Sequence, residues 1–191
     1  MTLKLRPLLA ALVAGASVCA AQATTTDLNA DAQWHLFDVS PDLAADGGLG
    51  WIDIGDGSAL SFNFSVAAGT QAVLTVVDGG FSGDVFSVRS NGAALADTSA
   101  AANSYPDSIG LDFDAAWAQP HYSRGSYVFG AGSYSVSGAL AASALDNLGM
   151  PINATVGAVQ LQVSAVPEAS TLSSLLAGLG LIGFLLRRRA Q

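Results

Sequence analysis

The sequence predicts an all-β domain, folded as an antiparallel β-sandwich or jelly roll, on three observations. Apolar and polar residues alternate with a period of two in short segments such as Leu60–Val66, as half-buried strands require. Turn sequences such as Asp78-Gly79-Gly80 and Asn91-Gly92 separate these segments. About eight or nine such segments follow one another at the short spacing that is typical of sandwiches and leaves no room for parallel β-α-β units.

The predicted strands run through residues 34–163, and one helical turn interrupts them. Asn91-Gly92 predicts a hairpin between two strands. Residues 112–120 begin with Asp and end with Pro, which predicts a short helical turn capped by Asp112 or Asp114. The Ala/Ser-rich residues 139–144 resemble a linker. The predicted strands are Trp34–Val39, Leu49–Ile54, Leu60–Val66, Ala72–Val77, Val85–Arg89, Ala93–Ala96, Tyr127–Phe129, the segment around Tyr134 and Val136, and Val159–Val163.

The first 23 residues have the three-part order of a Sec-type signal peptide. A short cationic region precedes the apolar run Pro7–Val18, and small residues follow at Ala21 and Ala23. This order predicts an N-terminal signal-peptide helix, export through the Sec machinery and cleavage after Ala23. An uncleaved N-terminal anchor is the alternative, which the short apolar run disfavours.

The single cysteine, Cys19, lies within this N-terminal segment. A lipid-attachment site at Cys19 is a further alternative, but Val18 precedes it where such sites carry Gly, Ala or Ser. Cleavage after Ala23 leaves a mature chain without cysteine. We therefore expect an exported protein that contains no disulfide.

The C-terminal segment combines a short boundary sequence, an apolar stretch and a basic cluster. Residues 170–186 measure about 25 Å as a helix, which is at the lower limit for crossing a bilayer core of about 30 Å, and they predict a transmembrane helix. The arginines beyond it predict a cytoplasmic Gln191 and an exported domain outside. This plan is typical of a processed sorting signal, and an ordinary single-pass anchor is the alternative. The boundary residues are Val166, Pro167, Glu168, Ala169 and Ser170, and the basic cluster is Arg187, Arg188 and Arg189.

These three parts, with the Leu/Gly-rich stretch 175–184, resemble the PEP-CTERM sorting tail of Gram-negative bacteria. The resemblance implies processing near Pro167-Glu168 by an exosortase, a membrane enzyme of organisms that make exopolysaccharide and biofilm. Residues 166–191 then form the tail, and residues 24–165 form one extracytoplasmic domain. Ala169 stands where the family usually has a second proline. The same kind of tail has been described at the end of ice-binding proteins, a label that concerns the tail and not an activity.

The charges are distributed unevenly along the chain. Residues 1–23 and 167–191 each carry +2, whereas residues 24–166 carry fourteen Asp against Arg89 and Arg124, a net −12. Nucleic acids and anionic membrane faces require clustered Lys or Arg. The composition therefore excludes nucleic acid as a partner and leaves membrane contact to the C-terminal helix.

Residues 24–166 offer few groups for catalysis. They contain no Cys, no Lys and no Glu, and their only histidines are His35 and His121. No Gly-x-Ser-x-Gly motif is present to hold a nucleophile, and zinc would need further N or S ligands. Pairs of Asp are so frequent here that a pair does not by itself indicate glycoside hydrolysis. We predict a non-enzymatic protein with no catalytic residues, and an enzyme acting on polysaccharide is the alternative.

Calcium is the one cofactor that the composition suits, because carboxylates and carbonyls in tight, Gly-rich turns bind hard divalent cations. None of the candidate segments matches the order of an EF-hand loop. The alternative is that Asp occurs there because it stabilises turns and helix caps through local hydrogen bonds. The candidate ligands are Asp53, Asp56, Asp78, Asp84, Asp112 and Asp114.

Three aromatic residues in the presumed loop region, Trp117, Tyr122 and Tyr105, are candidates for stacking on sugar rings. Aromatic residues elsewhere in the pattern are more often part of the core. The leading hypothesis is thus a non-enzymatic exported protein of the cell envelope or biofilm matrix. The alternative is a calcium-assisted module of the same fold that binds exopolysaccharide.

Overall fold

Two β-sheets and one short helix form the fold in a computed structural model, which describes residues 23–166 together with residues 176, 177 and 179. Strand β3 alternates between buried and less buried residues along its length, as its sequence pattern predicts. The elements are β1 (Thr24–Asp27), β2 (His35–Val39), β3 (Leu60–Val66), β4 (Thr70–Asp78), β5 (Val85–Ser90), β6 (Ala93–Ala94), α1 (Phe113–Ala118), β7 (Arg124–Phe129), β8 (Gly132–Ala142) and β9 (Thr155–Ala165).

The strands form a five-stranded sheet of order β1-β3-β8-β5-β6 and a four-stranded sheet of order β2-β9-β4-β7. Residues of both sheets share one hydrophobic core, so the prediction of an all-β, sandwich-like fold is confirmed. One strand pair departs from the antiparallel prediction, because β1 runs parallel to β3. The sequence of β1 is Thr-Thr-Thr-Asp, which has no apolar alternation and therefore predicts no strand.

Two local predictions are confirmed in detail. Asn91 and Gly92 both have positive φ, 49° and 80°, as the hairpin between β5 and β6 requires. Helix α1 begins after Asp112, whose side chain accepts the Ala115 N–H at 3.0 Å. In both places a few adjacent residues determine the backbone conformation, so the local sequence pattern was sufficient to predict the hairpin and the helix.

Two other segments differ from their predictions. Residues 49–54 make only isolated bridges instead of a continuous strand, because Gly50 pairs with β8 in one sheet and Ile52 pairs with β2 in the other. The Ala/Ser-rich residues 139–144 are not a linker, since residues up to Ala142 belong to β8. This strand lies inside its sheet, between β3 and β5.

An aromatic core around Trp51 fills the space between the sheets. The Trp51 side chain is 1% exposed, and its ring stacks on Phe37 with the centroids 4.0 Å apart. Phe62 and Phe86 contact it edge-on. A Cβ at Gly138 would lie 2.4 Å from the indole ring, so this close approach requires glycine. A second cluster lies against α1 and contains Val77, Phe113, Ala116, Tyr122 and Ala158.

Both predicted hydrophobic helices fall mainly outside the described residues. The signal-peptide prediction concerns residues 1–23, of which only Ala23 is described. The transmembrane prediction concerns residues 170–186, of which Leu176, Ala177 and Leu179 are described, each in helical conformation. Among the described residues, no helix has the length and apolar character needed to cross a membrane.

Candidate functional site

The folded sheet continues to the last residue before the predicted sorting boundary. Strand β9 lies inside its sheet, between β2 and β4, and its final residue Ala165 pairs with Thr70. The Val166 N–H then donates to the Gly69 carbonyl oxygen at 2.9 Å. No spacer therefore separates the sandwich from Pro167-Glu168.

The other end of the domain is held equally closely. The Thr24 N–H donates to the Ala59 carbonyl oxygen at 2.8 Å, and the Thr24 and Ser58 hydroxyl oxygens lie 2.6 Å apart. Strand β1 begins at this residue, directly after Ala23. A chain that starts at Thr24 keeps both of these contacts.

Two of the candidate calcium ligands, Asp53 and Asp56, stabilise a turn. Asp53 accepts the Gly55 N–H at 2.7 Å, and Asp56 accepts the Ser58 N–H at 2.9 Å. Hydrogen bonds from the Ser58 side chain and backbone hold the pKa of Asp56 below its usual value. Local turn formation accounts for both residues.

Asp112 and Asp114 also have structural roles at α1, one local and one long-range. Asp112 is the N-cap described above, and Asp114 accepts the Trp34 indole N–H at 2.8 Å. In the part of the chain that the structure describes, no three His, Cys, Asp or Glu side chains come together to hold a metal. The six predicted ligands thus do not form one site.

Asp78 and Asp84 are the exception, because the fold buries both of them, Asp78 as the last residue of β4 and Asp84 directly before β5. Asp78 is 0% exposed and Asp84 is 2% exposed. Neither carboxylate oxygen of Asp78 has a hydrogen-bond partner among the described residues. Burial, together with the charge of Asp84, raises the pKa of Asp78 to about 9. Nearby N–H groups, such as that of Gly83, lower this pKa without making a hydrogen bond of normal geometry.

Asp84 has better hydrogen-bonding partners. Its Oδ1 accepts the Ala144 N–H at 2.8 Å. Burial raises the pKa of Asp84, and the Ala144 N–H and the hydroxyl groups of Thr155 and Ser143 act against this shift. The two carboxylates therefore differ: Asp84 accepts a backbone hydrogen bond, whereas Asp78 has no hydrogen-bond partner among the described residues.

The three aromatic residues predicted to contact sugars do not form an exposed platform. The prediction of an exposed Tyr122 is wrong, because its ring is 3% exposed in the cluster against α1 and its hydroxyl donates to the Gly80 carbonyl oxygen. Trp117 is half-buried beneath the Arg124 guanidinium. Tyr105 packs edge-on against Phe81.

Comparison with known families identifies the segment that follows β9. A sequence model of the family described as PEP-CTERM protein-sorting motif matches residues 165–189. The chain carries a PEP-CTERM sorting motif. This motif implies recognition by an exosortase and an exported, membrane-anchored precursor. Its residues Pro167, Glu168, Ala169, Ser170, Arg187, Arg188 and Arg189 lie outside the described residues, and Val166 is exposed at the end of β9.

The domain that precedes the motif has less informative similarities. A solved structure of the pre-peptidase C-terminal domain of collagenase from Bacillus anthracis matches with a TM-score of 0.33 and 13% identity, over 75% of this chain and 95% of that chain. No curated protein sequence matches the chain. The function of the domain is therefore inferred from its own residues.

The burial of Asp78 and Asp84 was not predicted from the sequence. The signal that could have found it is the run Val76-Val77-Asp78, in which every residue is buried and the alternation of β4 stops. Such a run indicates a strand end that is covered on both faces. Here α1 and its cluster cover the second face.

In EDTA, we expect the free energy of unfolding of the full chain to fall as pH rises between about 4 and 9. The pKa of Asp78 is about 9 in the folded protein against 3.8 for an ordinary Asp, so the folded state binds the extra proton in this window and the free energy of unfolding decreases with pH. Asp84 and Tyr122 are the other titratable groups near Asp78, and the raised pKa of Asp84 acts in the same direction.

The check is the melting temperature measured from pH 4.5 to 8.5 for the wild type and for Asp78→Asn. The amide has no proton to lose, so the variant should show a flatter profile and should be the more stable protein at pH 8. A wild-type melting temperature that stays constant or rises over this range would contradict the assignment of Asp78 as a buried neutral acid.

Proposed function

We propose that this chain is a non-enzymatic, exported protein of the cell envelope or biofilm matrix, delivered as an exosortase substrate. The signal peptide directs it to the Sec machinery. The C-terminal helix holds the precursor in the inner membrane with Gln191 in the cytoplasm, and processing near Pro167-Glu168 then transfers the acidic sandwich to the cell surface or the extracellular matrix.

The observation that carries the proposal is the PEP-CTERM motif beginning where the sandwich ends. Residues 165–189 match the motif, and the last hydrogen bond of the sheet is made by Val166. Processing after this residue would remove the whole tail and leave every described strand in place. The described domain would therefore keep its fold after removal of the sorting motif.

Export is also consistent with the charge of the cargo. After both terminal segments are removed, the domain keeps fourteen Asp and two Arg, a charge that favours solubility and disfavours adhesion to anionic surfaces. Carbohydrate binding is the alternative function predicted from the sequence. Tyr122, one of the three residues predicted to contact sugars, is buried, and no observation at these three residues favours carbohydrate binding over a structural role in the matrix.

The termini of the processed protein test this proposal. Mass spectrometry of the protein from the cell surface should give a chain that begins at Thr24 and ends between Pro167 and Ser170. In cells without the exosortase, the full tail should accumulate in the membrane. The double variant Pro167→Ala, Glu168→Ala should behave in the same way in wild-type cells.

The matched control is Ser164→Ala, an exposed position three residues before Pro167, which should be processed normally. An intact tail on the wild-type protein in wild-type cells would reduce the segment to an ordinary single-pass anchor. Equal processing of the double variant and the control would show that the Pro-Glu pair is not recognised.

A further inference from the structure

The outer face of the five-stranded sheet carries a polar groove of about 480 Å³. Its lining comes from β1, β3 and β8 and from the hairpin between β5 and β6. On β3 and β8 the polar side chains of the groove alternate with more deeply buried residues of the core. This volume lies within the range of small-molecule sites in proteins. The polar residues that line the groove are Asp27, Asn63, Ser65, Asn91, Ser133 and Ser135.

The strand register places these side chains in two rows. Asp27 of β1 pairs with Asn63 of β3, which pairs on its other side with Ser135 of β8. This first row spans about 10 Å, because neighbouring strands lie about 4.8 Å apart. Ser65 and Ser133 form the second row, and their hydroxyl oxygens lie 3.1 Å apart. The floor of the groove therefore presents polar groups at regular spacing.

Backbone and side-chain hydrogen bonds fix both sides of the groove. On the hairpin side, the Asn91 amide donates to the Ser133 carbonyl oxygen at 3.2 Å and accepts the Ser135 N–H at 2.9 Å. On the β1 side, the Leu28 N–H donates to the Asn63 carbonyl oxygen at 2.8 Å. The groove is thus formed before a ligand arrives, which lowers the entropic cost of binding.

The groove offers both donors and acceptors to a ligand. The Oδ1 atom of Asn63 is enclosed without a hydrogen-bond partner among the described residues, so the amino group is the part of this amide that can contact a ligand. Asp27 and Ser135 are exposed, and they supply a carboxylate acceptor and a hydroxyl group. The hydroxyl groups of Ser65 and Ser133 can each make a further hydrogen bond beyond the one between them.

This set of groups selects the class of ligand. A calcium or magnesium ion needs several oxygen ligands, whereas Asp27 is the only acidic side chain in the lining. An anionic ligand is disfavoured, because the lining contains that carboxylate and no basic side chain. An uncharged, hydroxyl-rich ligand fits, because each of its hydroxyl groups can donate to Asp27 and accept from Asn63 or a serine.

We propose that this groove binds an uncharged saccharide segment, which lies along the row from Asp27 to Ser135. Its hydroxyl groups donate to the Asp27 carboxylate, accept from the Asn63 amino group and exchange hydrogen bonds with the serines. These hydrogen bonds replace bonds to water, so binding is weak, with a Kd on the order of 1 mM. The site depends neither on the sorting motif nor on the three aromatic residues predicted to contact sugars.

Saturation-transfer difference NMR tests the proposal on the full-length chain, purified in a detergent without a sugar headgroup. The probes are three neutral trisaccharides, maltotriose, cellotriose and mannotriose, each at a concentration near the expected Kd. At least one of them should receive magnetisation from the protein. Trigalacturonic acid, an anionic trisaccharide, should receive none at the same concentration, because the groove contains a carboxylate and no basic side chain.

Ser65→Leu places a larger apolar side chain in the groove and should abolish the transfer signal. The matched control is Ser126→Leu, the same change at an exposed position of β7 in the other sheet, which should keep it. Asn63→Ala removes the amino donor and should raise Kd about fivefold, as expected for the loss of one hydrogen bond. Circular dichroism identifies variants that have lost the fold, and Ser133→Leu decides the test if Ser65→Leu is unfolded.

Two results would overturn the proposal. The first is a wild-type protein that transfers no magnetisation to any of the three neutral trisaccharides. The second is a transfer signal that persists unchanged in the leucine variants of the groove and in Asn63→Ala, which would place the sugar elsewhere. Neither result bears on processing of the tail, because mass spectrometry of the surface protein measures that separately.

Discussion

A chain that ends at Val166 is expected to fold like the full domain, whereas a chain that ends at Asn153 is expected not to fold. The shorter chain lacks β9, which pairs with β2 on one side and β4 on the other. It also lacks Val159 and Leu161, which are 0% and 2% exposed. Each such side chain contributes about 1.5–3 kcal/mol, and a typical domain has only about 5–15 kcal/mol in total.

Circular dichroism and thermal unfolding of residues 24–166 and 24–153 check this expectation. The longer chain should give a β-sheet spectrum and a cooperative transition, and the shorter chain should give neither. A cooperative transition in the shorter chain would mean that β2 and β4 can pair without the strand between them. A longer chain that is unfolded would mean that the sorting tail contributes to the fold.

Replacing Trp51 with alanine is expected to destabilise the domain by about 3–5 kcal/mol, as truncation of a large buried aromatic residue commonly does. The ring stacks on Phe37 and contacts Phe62 and Phe86, so its removal opens a cavity between the two sheets. The indole N–H has no hydrogen-bond partner among the described residues, so the loss concerns packing and not a polar contact.

Urea unfolding of the wild type and Trp51→Ala measures this difference. Leu148→Ala serves as the control, because Leu148 is 86% exposed and its truncation should change the free energy of unfolding by less than about 0.5 kcal/mol. A loss below about 1 kcal/mol for Trp51→Ala would show that the core closes around the missing ring.

Features of the fold that depend on neighbouring residues could be predicted from the sequence. The hairpin at Asn91-Gly92 and the helix capped by Asp112 each arise from a few adjacent side chains and their own backbone. The alternating strand β3 arises from a period of two that one buried face requires. The sorting motif is likewise a continuous stretch of sequence.

Features that depend on distant partners could not be predicted in this way. Residues 49–54 alternate like a strand, but they change sheets at Trp51, and only the topology brings β2 and β8 to either side of them. Tyr122 follows the helix in a segment without periodicity, and its burial depends on contacts with Val77 and Ala158. Asp78 and Asp84 are surrounded by turn residues, and their burial depends on the segment around Ala144.

The first and last residues of the described domain lie near opposite ends of strand β3. Thr24 lies beside Leu60, at the start of β3, whereas Ala165 pairs with Thr70, just beyond the other end of β3. The seven residues of β3 separate these points by roughly 20 Å at about 3.3 Å per residue. Neither end has a free linker within the described residues, because the backbone N–H groups of Thr24 and Val166 are both hydrogen-bonded to the folded domain.

A precursor anchored in the bilayer by both terminal segments would have to place Thr24 and Val166, which lie near opposite ends of the folded domain, at the same membrane surface. The first strand would have to leave its sheet for this to occur. On the export route proposed above, we therefore expect cleavage after Ala23 to precede completion of the fold, which leaves Thr24 and Val166 near opposite ends of the domain.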